Sequence, residues 1–342
     1  MVNGSFSTYK IEDRSYVSYI KREIHNILTI AGFSAHRTGE IDIIVSEITS
    51  NIVKHADAGE LIYRLSEEKN GEKIFELFCI DNGPGTNEIA KMLKDGASSS
   101  NTLGNGLGAI NRLSDLFHIY SSKSWGTVCF CRIAQKAVSK GIYRPADPIE
   151  MKAIQVCHPG EKLCGDGYEV KRVDDIYQIF LGDGLGHGPY AYDAVQQGIH
   201  AFRECKINDQ PVEILRFIHE KVKKTRGLVG TVAILDTKNR IWQICGIGNI
   251  ATRLYQGLTH KNYMAHNGVL GMNIPNSMNS YETTAEKYQC IIMCSDGIKS
   301  RWDFAKNPTI VKQDPAILAA AIYKDHSRGN DDMTVLVGKL NI

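Results

Sequence analysis

Apolar residues recur at helical spacing over 16–30 and again over about 40–55. In the second stretch Ile41, Ile44, Val45, Ile48 and Ile52 fall along one side, which predicts a helix packed by that stripe on a sheet. Strand-like runs follow at 60–66, 74–80, 116–121 and 127–133. The segment 135–149 is polar, with two prolines and a glycine, and reads as a linker. From about 150 the pattern changes to paired short strands at 153–156, 169–173 and 176–181. Helical patterns follow at 190–204 and 211–223, then strands at 231–236, 240–246, 252–255, 290–294 and 335–340. The expectation is two α/β (α+β) domains, 1–134 and 150–342. The first is a helix layer on a mixed sheet, the second a sandwich of sheets flanked by helices.

Composition narrows the class without naming a function. Hydrophobic content of 43% and charged content of 23% suit globular domains with cores of their own. Net charge is +2 and no stretch concentrates Lys or Arg, so a nucleic-acid partner is not suggested. The start, MVNGSFSTYK, lacks a basic-then-apolar leader, and no apolar run approaches bilayer length. The expectation is a cytoplasmic protein without a membrane partner. Nine cysteines is an odd number, and Cys79, Cys129, Cys131 and Cys245 sit in strand-like contexts. With no Cys-x-x-Cys pair, neither a disulfide framework nor a zinc site is expected.

Three features of the first half could carry chemistry. Glu47 and Asn51 lie one turn apart on the second helix, about 40° apart around its axis. Such a pair can hold Mg²⁺ through the amide while the acid orients or deprotonates an attacking group, although a plain polar helix edge reads the same way. His55 falls near the apolar stripe and reads as a structural histidine. Asp81-Asn82-Gly83-Pro84-Gly85 follows a strand; its acid can accept from an exocyclic amine such as adenine N6, and its glycines let backbone pass beneath a flat base. An ordinary turn has similar text. Gly104-Asn105-Gly106-Leu107-Gly108 precedes a helix starting near Ala109, where glycine amides can cradle phosphate.

In this order and spacing the three resemble the N, G1 and G2 boxes of the GHKL ATPase/kinase superfamily, over about residues 10–134. The text Ile44-Val45-Ser46-Glu47-Ile48-Thr49-Ser50-Asn51 and Gly106-Leu107-Gly108-Ala109-Ile110-Asn111-Arg112-Leu113-Ser114-Asp115 is similar to that of the small serine kinases of bacterial partner switching. That resemblance implies Glu47 as general base and Asn51 as Mg²⁺ ligand. It implies contacts to adenine from Asp81, Gly83, Gly85 and Thr127, and contacts to phosphate from Gly104, Asn105, Gly106, Leu107 and Gly108. The lid, 86–101, ends in Ser98-Ser99-Ser100, to which it assigns no role. No histidine-phosphorylation segment is read before residue 40, which disfavours a sensor histidine kinase.

The second half sets acids beside glycines at expected turns. They stand in Gly165-Asp166-Gly167, Gly182-Asp183-Gly184-Leu185-Gly186-His187-Gly188, Ser295-Asp296-Gly297 and Asn330-Asp331-Asp332-Met333-Thr334. Oxygen ligands that converge from distant turns suit two Mn²⁺ or Mg²⁺ ions activating a water for attack on a phosphoryl group; singly, each could be a solvated turn aspartate. The set resembles the SpoIIE-like branch of the metal-dependent type 2C protein phosphatases, over 150–342. By that resemblance Asp166, Asp183, Asp296 and Asp331 are metal ligands, completed by the Gly184 carbonyl, with Asp331 rather than Asp332 direct. His187 could protonate the leaving oxygen or serve as a turn or cap residue.

Together the resemblances imply a bifunctional Ser/Thr kinase and phosphatase acting on a STAS-domain antagonist, with ATP and Mg²⁺ in the first domain. A sigma factor or downstream output protein is a further possible partner. Two alternatives stand beside it. In one the first domain binds ATP and sequesters such a protein with little turnover; in the other it only senses nucleotide for the phosphatase.

Overall fold

The computed structural model describes residues 6–11, 14–56, 58–68, 70–93, 106–136 and 147–342. The chain divides into two compact units, 1–144 and 145–342, each with hydrophobic core of its own.

The first unit is ordered by the stripe on its second helix. Strand β1 (Ser7–Ile11) and helix α1 (Arg14–Ile30) precede α2 (Ala35–His55), whose first turn is capped by Ser34 Oγ accepting from the Arg37 amide. Ile41, Ile44, Val45, Ile48 and Ile52 are all buried, each contributing about 1.5–3 kcal/mol on full burial. That burial sets the rotation of α2 about its axis. Strands β2 (Gly59–Glu67) and β3 (Lys73–Asp81), short α3 (Ile89–Met92), α4 (Gly106–Leu113), β4 (Leu116–Ser122) and β5 (Gly126–Ala134) complete the unit. The sheet runs β1-β2-β3-β5-β4 and every pairing is antiparallel, where a mixed sheet was expected. Leu61, Tyr63, Phe75, Leu77, Cys79, Cys129, Cys131 and Ile133 alternate along three strands to meet α1, α2 and α4 in one core. Arg37 closes one end. It donates to the Ala134 carbonyl at 2.9 Å and pairs with Glu40 and Asp115, whose carboxylate also accepts from the Ala134 amide.

The second unit stacks two five-stranded sheets between helices. One is ordered β13-β10-β9-β8-β7, from β7 (Asp166–Val173), β8 (Ile176–Gly184), β9 (Leu228–Asp236), β10 (Ile241–Ile247) and β13 (Tyr281–Thr284). The other is β12-β11-β14-β15-β6, from β6 (Ile149–Val156), β11 (Ala251–Gln256), β12 (Thr259–Tyr263), β14 (Cys290–Cys294) and β15 (Met333–Leu340). Tyr177, Ile179 and Leu181 of β8 enter the core shared with the second sheet, while Phe180 turns the opposite way under α5 (Pro189–Glu204) and α6 (Pro211–Lys221). Helix α7 (Pro315–His326) covers β15 and β6. The result is an α-β-β-α sandwich. Its first hairpin pairs Val173 with Ile176 at the turn and Asp166 with Asp183 at the open end. Among the described residues no helix is long and apolar enough to cross a membrane.

Candidate functional site

In the first unit the expected residues gather at one end of α2, β3 and β5. Glu47 is half-buried, and a Cβ on Gly106 would lie 2.7 Å from its Oε2, so the acid stands against the first turn of α4. The helix begins at Gly106, three residues before the expected start. Leu107 packs on the core and Gly108 is buried. Asn51, also half-buried, lies one turn beyond Glu47. Asp81 ends β3 directly across from Thr127, and its Oδ1 accepts from the Gly83 amide at 2.8 Å and the Thr127 amide at 3.1 Å. Ser121, not singled out from sequence, links the same corner: its Oγ donates to the Gly126 carbonyl at 2.9 Å, accepts from the Thr86 amide at 2.9 Å and lies 3.0 Å from Thr127 Oγ1. Gly85 has φ +63°, and a Cβ there would strike the Ser122 carbonyl. His55 is exposed in the last turn of α2 rather than against the stripe. Gly104 and Asn105 lie outside the described residues, as does most of the expected linker.

In the second unit Asp166 and Asp183 are strand residues, not turn residues. They face each other across the β7–β8 ladder, so their side chains share the face turned to the other sheet. The glycines beside them answer to packing: a Cβ on Gly184 would strike the Ala191 backbone of α5. Asp166 is 1% exposed. Its Oδ2 accepts from Ser295 Oγ at 2.6 Å, its carbonyl accepts from Gln155 Nε2 at 2.6 Å, and its Oδ1 is buried without a hydrogen bond of good geometry. Burial, then the charges of Asp332 and Asp296, push this carboxyl up to about 8 against the pull of the Ser295 hydrogen bond. Asp183 is likewise held well above the usual carboxylate range, first by burial and then by Asp166, Asp296, Asp331 and Asp332. Asp296 follows β14, with Oδ2 accepting from Asn249 Nδ2 at 3.0 Å.

Asp331 and Asp332 precede β15 and diverge. Asp331 is half-buried, and its Oδ1 accepts from the Asp332 amide at 2.9 Å. Asp332 is 3% exposed, with Oδ1 accepting from the His158 amide at 2.8 Å. His187 is half-exposed; its Nδ1 lies 2.9 Å from Glu161 Oε1, and its ring stacks on His158 at 4.0 Å. The loop 157–164, which supplies His158 and Glu161, was passed over in the sequence because its residues match no spaced motif. Like-charged, partly desolvated acids around an unsatisfied oxygen are what a hard-cation site requires.

Two family profiles match separate parts of the chain. The family profile described as "Histidine kinase-like ATPase domain" matches residues 12–132, and that of "Stage II sporulation protein E (SpoIIE)" matches 174–341. The serine/threonine-protein kinase RsbT of Bacillus subtilis is 32% identical over 102 residues, 30% of this chain and 76% of that protein. The phosphoserine phosphatase RsbX of the same organism is 21% identical over 197 residues, 56% of this chain and 96% of that protein. A solved structure from work on the bacterial stressosome superposes with TM-score 0.52 at 27% identity, covering 56% of this chain and 98% of that one. RsbX with magnesium gives 0.51 at 21%, over 58% and 98%, a likeness of fold. The chain belongs to the histidine kinase-like ATPase family through its first unit, and its second is a SpoIIE-type serine/threonine phosphatase domain of the type 2C fold.

Proposed function

We propose that the two domains oppose each other on one class of substrate. The first transfers phosphate from ATP to a Ser or Thr of a STAS-domain antagonist, and the second removes it. The observation that carries this reading is the presence, on one chain, of Glu47 against the first turn of α4 and of Asp183 facing four other acids. RsbT is named a kinase and RsbX a phosphoserine phosphatase, which supports opposed activities.

In the first domain Asn51 is the Mg²⁺ ligand and the amides of Gly106, Leu107 and Gly108, with Gly104 and Asn105, bind the phosphates of ATP. Asp81 accepts from adenine N6, its orientation set by the Gly83 and Thr127 amides, with Gly85 allowing close approach. Glu47 takes the proton of the attacking hydroxyl. In the second domain Asp166, Asp183, Asp296, Asp331 and the Gly184 carbonyl hold two Mn²⁺ or Mg²⁺ ions; the unsatisfied Asp166 Oδ1 fits that role. Bound there, the cations supply positive charge that makes water acidic and stabilises the phosphoryl oxygens. His187, held by Glu161, gives a proton to the leaving serine or threonine oxygen; its contact with Glu161 supports this role.

The test is phosphorylation of candidate STAS proteins from labelled ATP. Asp296→Asn should let phosphorylated partner accumulate, and adding Glu47→Ala should remove that accumulation. ATP binding without transfer in the Asp296→Asn protein would instead make the first domain a nucleotide sensor, or a module that sequesters a sigma factor or output protein.

A further inference from the structure

The loop between β6 and β7, 157–165, begins at Cys157 and carries Cys164 next to its last residue, and folds back so that both cysteines meet Asp332. One ligand atom from each of these residues, two Sγ and a carboxylate oxygen, lies within 4.8 Å of the others. Cys164 and Asp332 are buried and Cys157 is half-buried, which leaves an approach from solvent. The Asp332 carboxylate is divided: Oδ1 accepts from the His158 amide, while buried Oδ2 faces Gly165, whose Cβ would lie 2.7 Å away, with only the Gly165 amide and the Cys164 thiol beside it in loose geometry. Burial holds this carboxyl above its ordinary range despite those contacts, so a cation at the two thiols would stabilise its charged form.

We propose that Cys157, Cys164 and Asp332 form a binding site for one thiophilic divalent cation of the zinc type. Zn–S bonds of about 2.3 Å put tetrahedral sulfurs roughly 3.8 Å apart, so a shift of about 1 Å at most closes the site. Binding releases the two thiol protons, and water from the Cys157 side fills the fourth position. Thiolates select this cation against Mn²⁺ and Mg²⁺, which prefer all-oxygen sets. Asp331 and Asp332, adjacent in sequence, thus serve chemically different cations. The spacing of six residues between the cysteines explains why a search for Cys-x-x-Cys missed them. The bound ion ties the loop, and with it His158 and Glu161, to the start of β15.

The experiment uses the full chain, reduced, stripped with chelator and supplied with excess Mg²⁺. Titration with Co²⁺ should give thiolate-to-metal charge-transfer absorption that saturates at one equivalent and is bleached by one equivalent of Zn²⁺. Cys157→Ser and Cys164→Ser should each abolish the band, Asp332→Asn should weaken cobalt affinity at least tenfold, and Asp183→Asn should leave the band unchanged. Should Cys164→Ser not fold by circular dichroism, half-buried Cys157 carries the test. Zinc should also protect both thiols of the unaltered chain from alkylation, read by peptide mapping. Absence of the band, its survival in Cys157→Ser, or recovery of the pair as a disulfide under the reducing conditions overturns the proposal. None of these readouts depends on kinase or phosphatase activity.

Discussion

Ser295 Oγ donates to Asp166 Oδ2 at 2.6 Å while accepting from the Thr334 amide at 2.9 Å. One hydroxyl thereby binds the end of β14 to the starts of β7 and β15, and occupies Asp166 Oδ2 so that the buried Oδ1 is the oxygen it leaves unengaged. Ser295→Ala deprives a buried carboxylate and a buried amide of their common partner. The expected loss is about 1–3 kcal/mol of unfolding free energy, read by urea denaturation. Half-saturating Mn²⁺ for phosphoester cleavage should rise in the same variant; an unchanged metal requirement would detach Ser295 from the centre.

The pH dependence of the metal-free protein follows from Asp166. Its carboxyl titrates near 8 in the folded chain and near 4 when unfolded, so between those values the folded state binds the extra proton. Stability contributed by this group therefore falls as pH rises from about 4 to about 8. Thermal melts in chelator should show a descending melting temperature across that window, and Mn²⁺ should restore it most at the alkaline end. A melting temperature that rises steadily to pH 8 in chelator, with no Mn²⁺ effect, contradicts the arrangement.

Asp183→Asn should separate stability from activity. The carboxylate is opposed by Asp166, Asp296, Asp331 and Asp332, so its neutral isostere relieves repulsion that exists only without cations. Cleavage of a phosphoester in Mn²⁺ should vanish while the chelated protein melts higher than its parent at neutral pH. Retained cleavage, or activity indifferent to chelator, would sink the assignment of Asp183.

Asp81→Asn tests adenine recognition with the backbone left in place. An amide oxygen can still accept from the Gly83 and Thr127 amides, but the side chain no longer offers a carboxylate to the base. Calorimetry should show ATP affinity lost with the fold intact, whereas Glu47→Ala should retain affinity and lose phosphoryl transfer. Gly85→Ala should instead destabilise the first domain, because φ +63° and the Ser122 carbonyl both exclude a Cβ. Equal ATP affinity in Asp81→Asn and its parent would remove Asp81 from the site.

What could be read from the sequence was whatever has a period or a motif. Helix α2 was legible because Ile41, Ile44, Val45, Ile48 and Ile52 recur on one side, while the other is mostly polar apart from exposed Ile43. Helix α7 was not: 315–323 is buried throughout, so Ala316 to Tyr323 shows no alternation to detect. Asp166 and Asp183 were found as acids beside glycines but placed in turns, since Asp-Gly ordinarily turns. Here Gly167 and Gly184 are strand residues made small by the close approach of α5, while Gly182 is kept small by Phe180 and Leu228. Partners such as Ser295, Gln155 and Glu161 were beyond reach because their roles come from segments far apart in sequence that meet only in the folded unit.

The β7–β8 hairpin gives the acidic centre a gauge at its far end. Asp174 and Asp175 form the whole connection between Val173 and Ile176, with Asp174 at φ +51°. Because side chains alternate faces, one residue added to or lost from that turn would slide the ladder by a single step. Asp166 would then pair with a glycine, and one acid would point into the α5 layer while the other stayed between the sheets. The length of a surface turn eight residues away is thus as strictly constrained as the aspartates themselves, whereas its side chains need only suit the turn's backbone. Gly or Asn at 174, which accept its positive φ, and point substitutions at 175 should be tolerated where single-residue insertions are not.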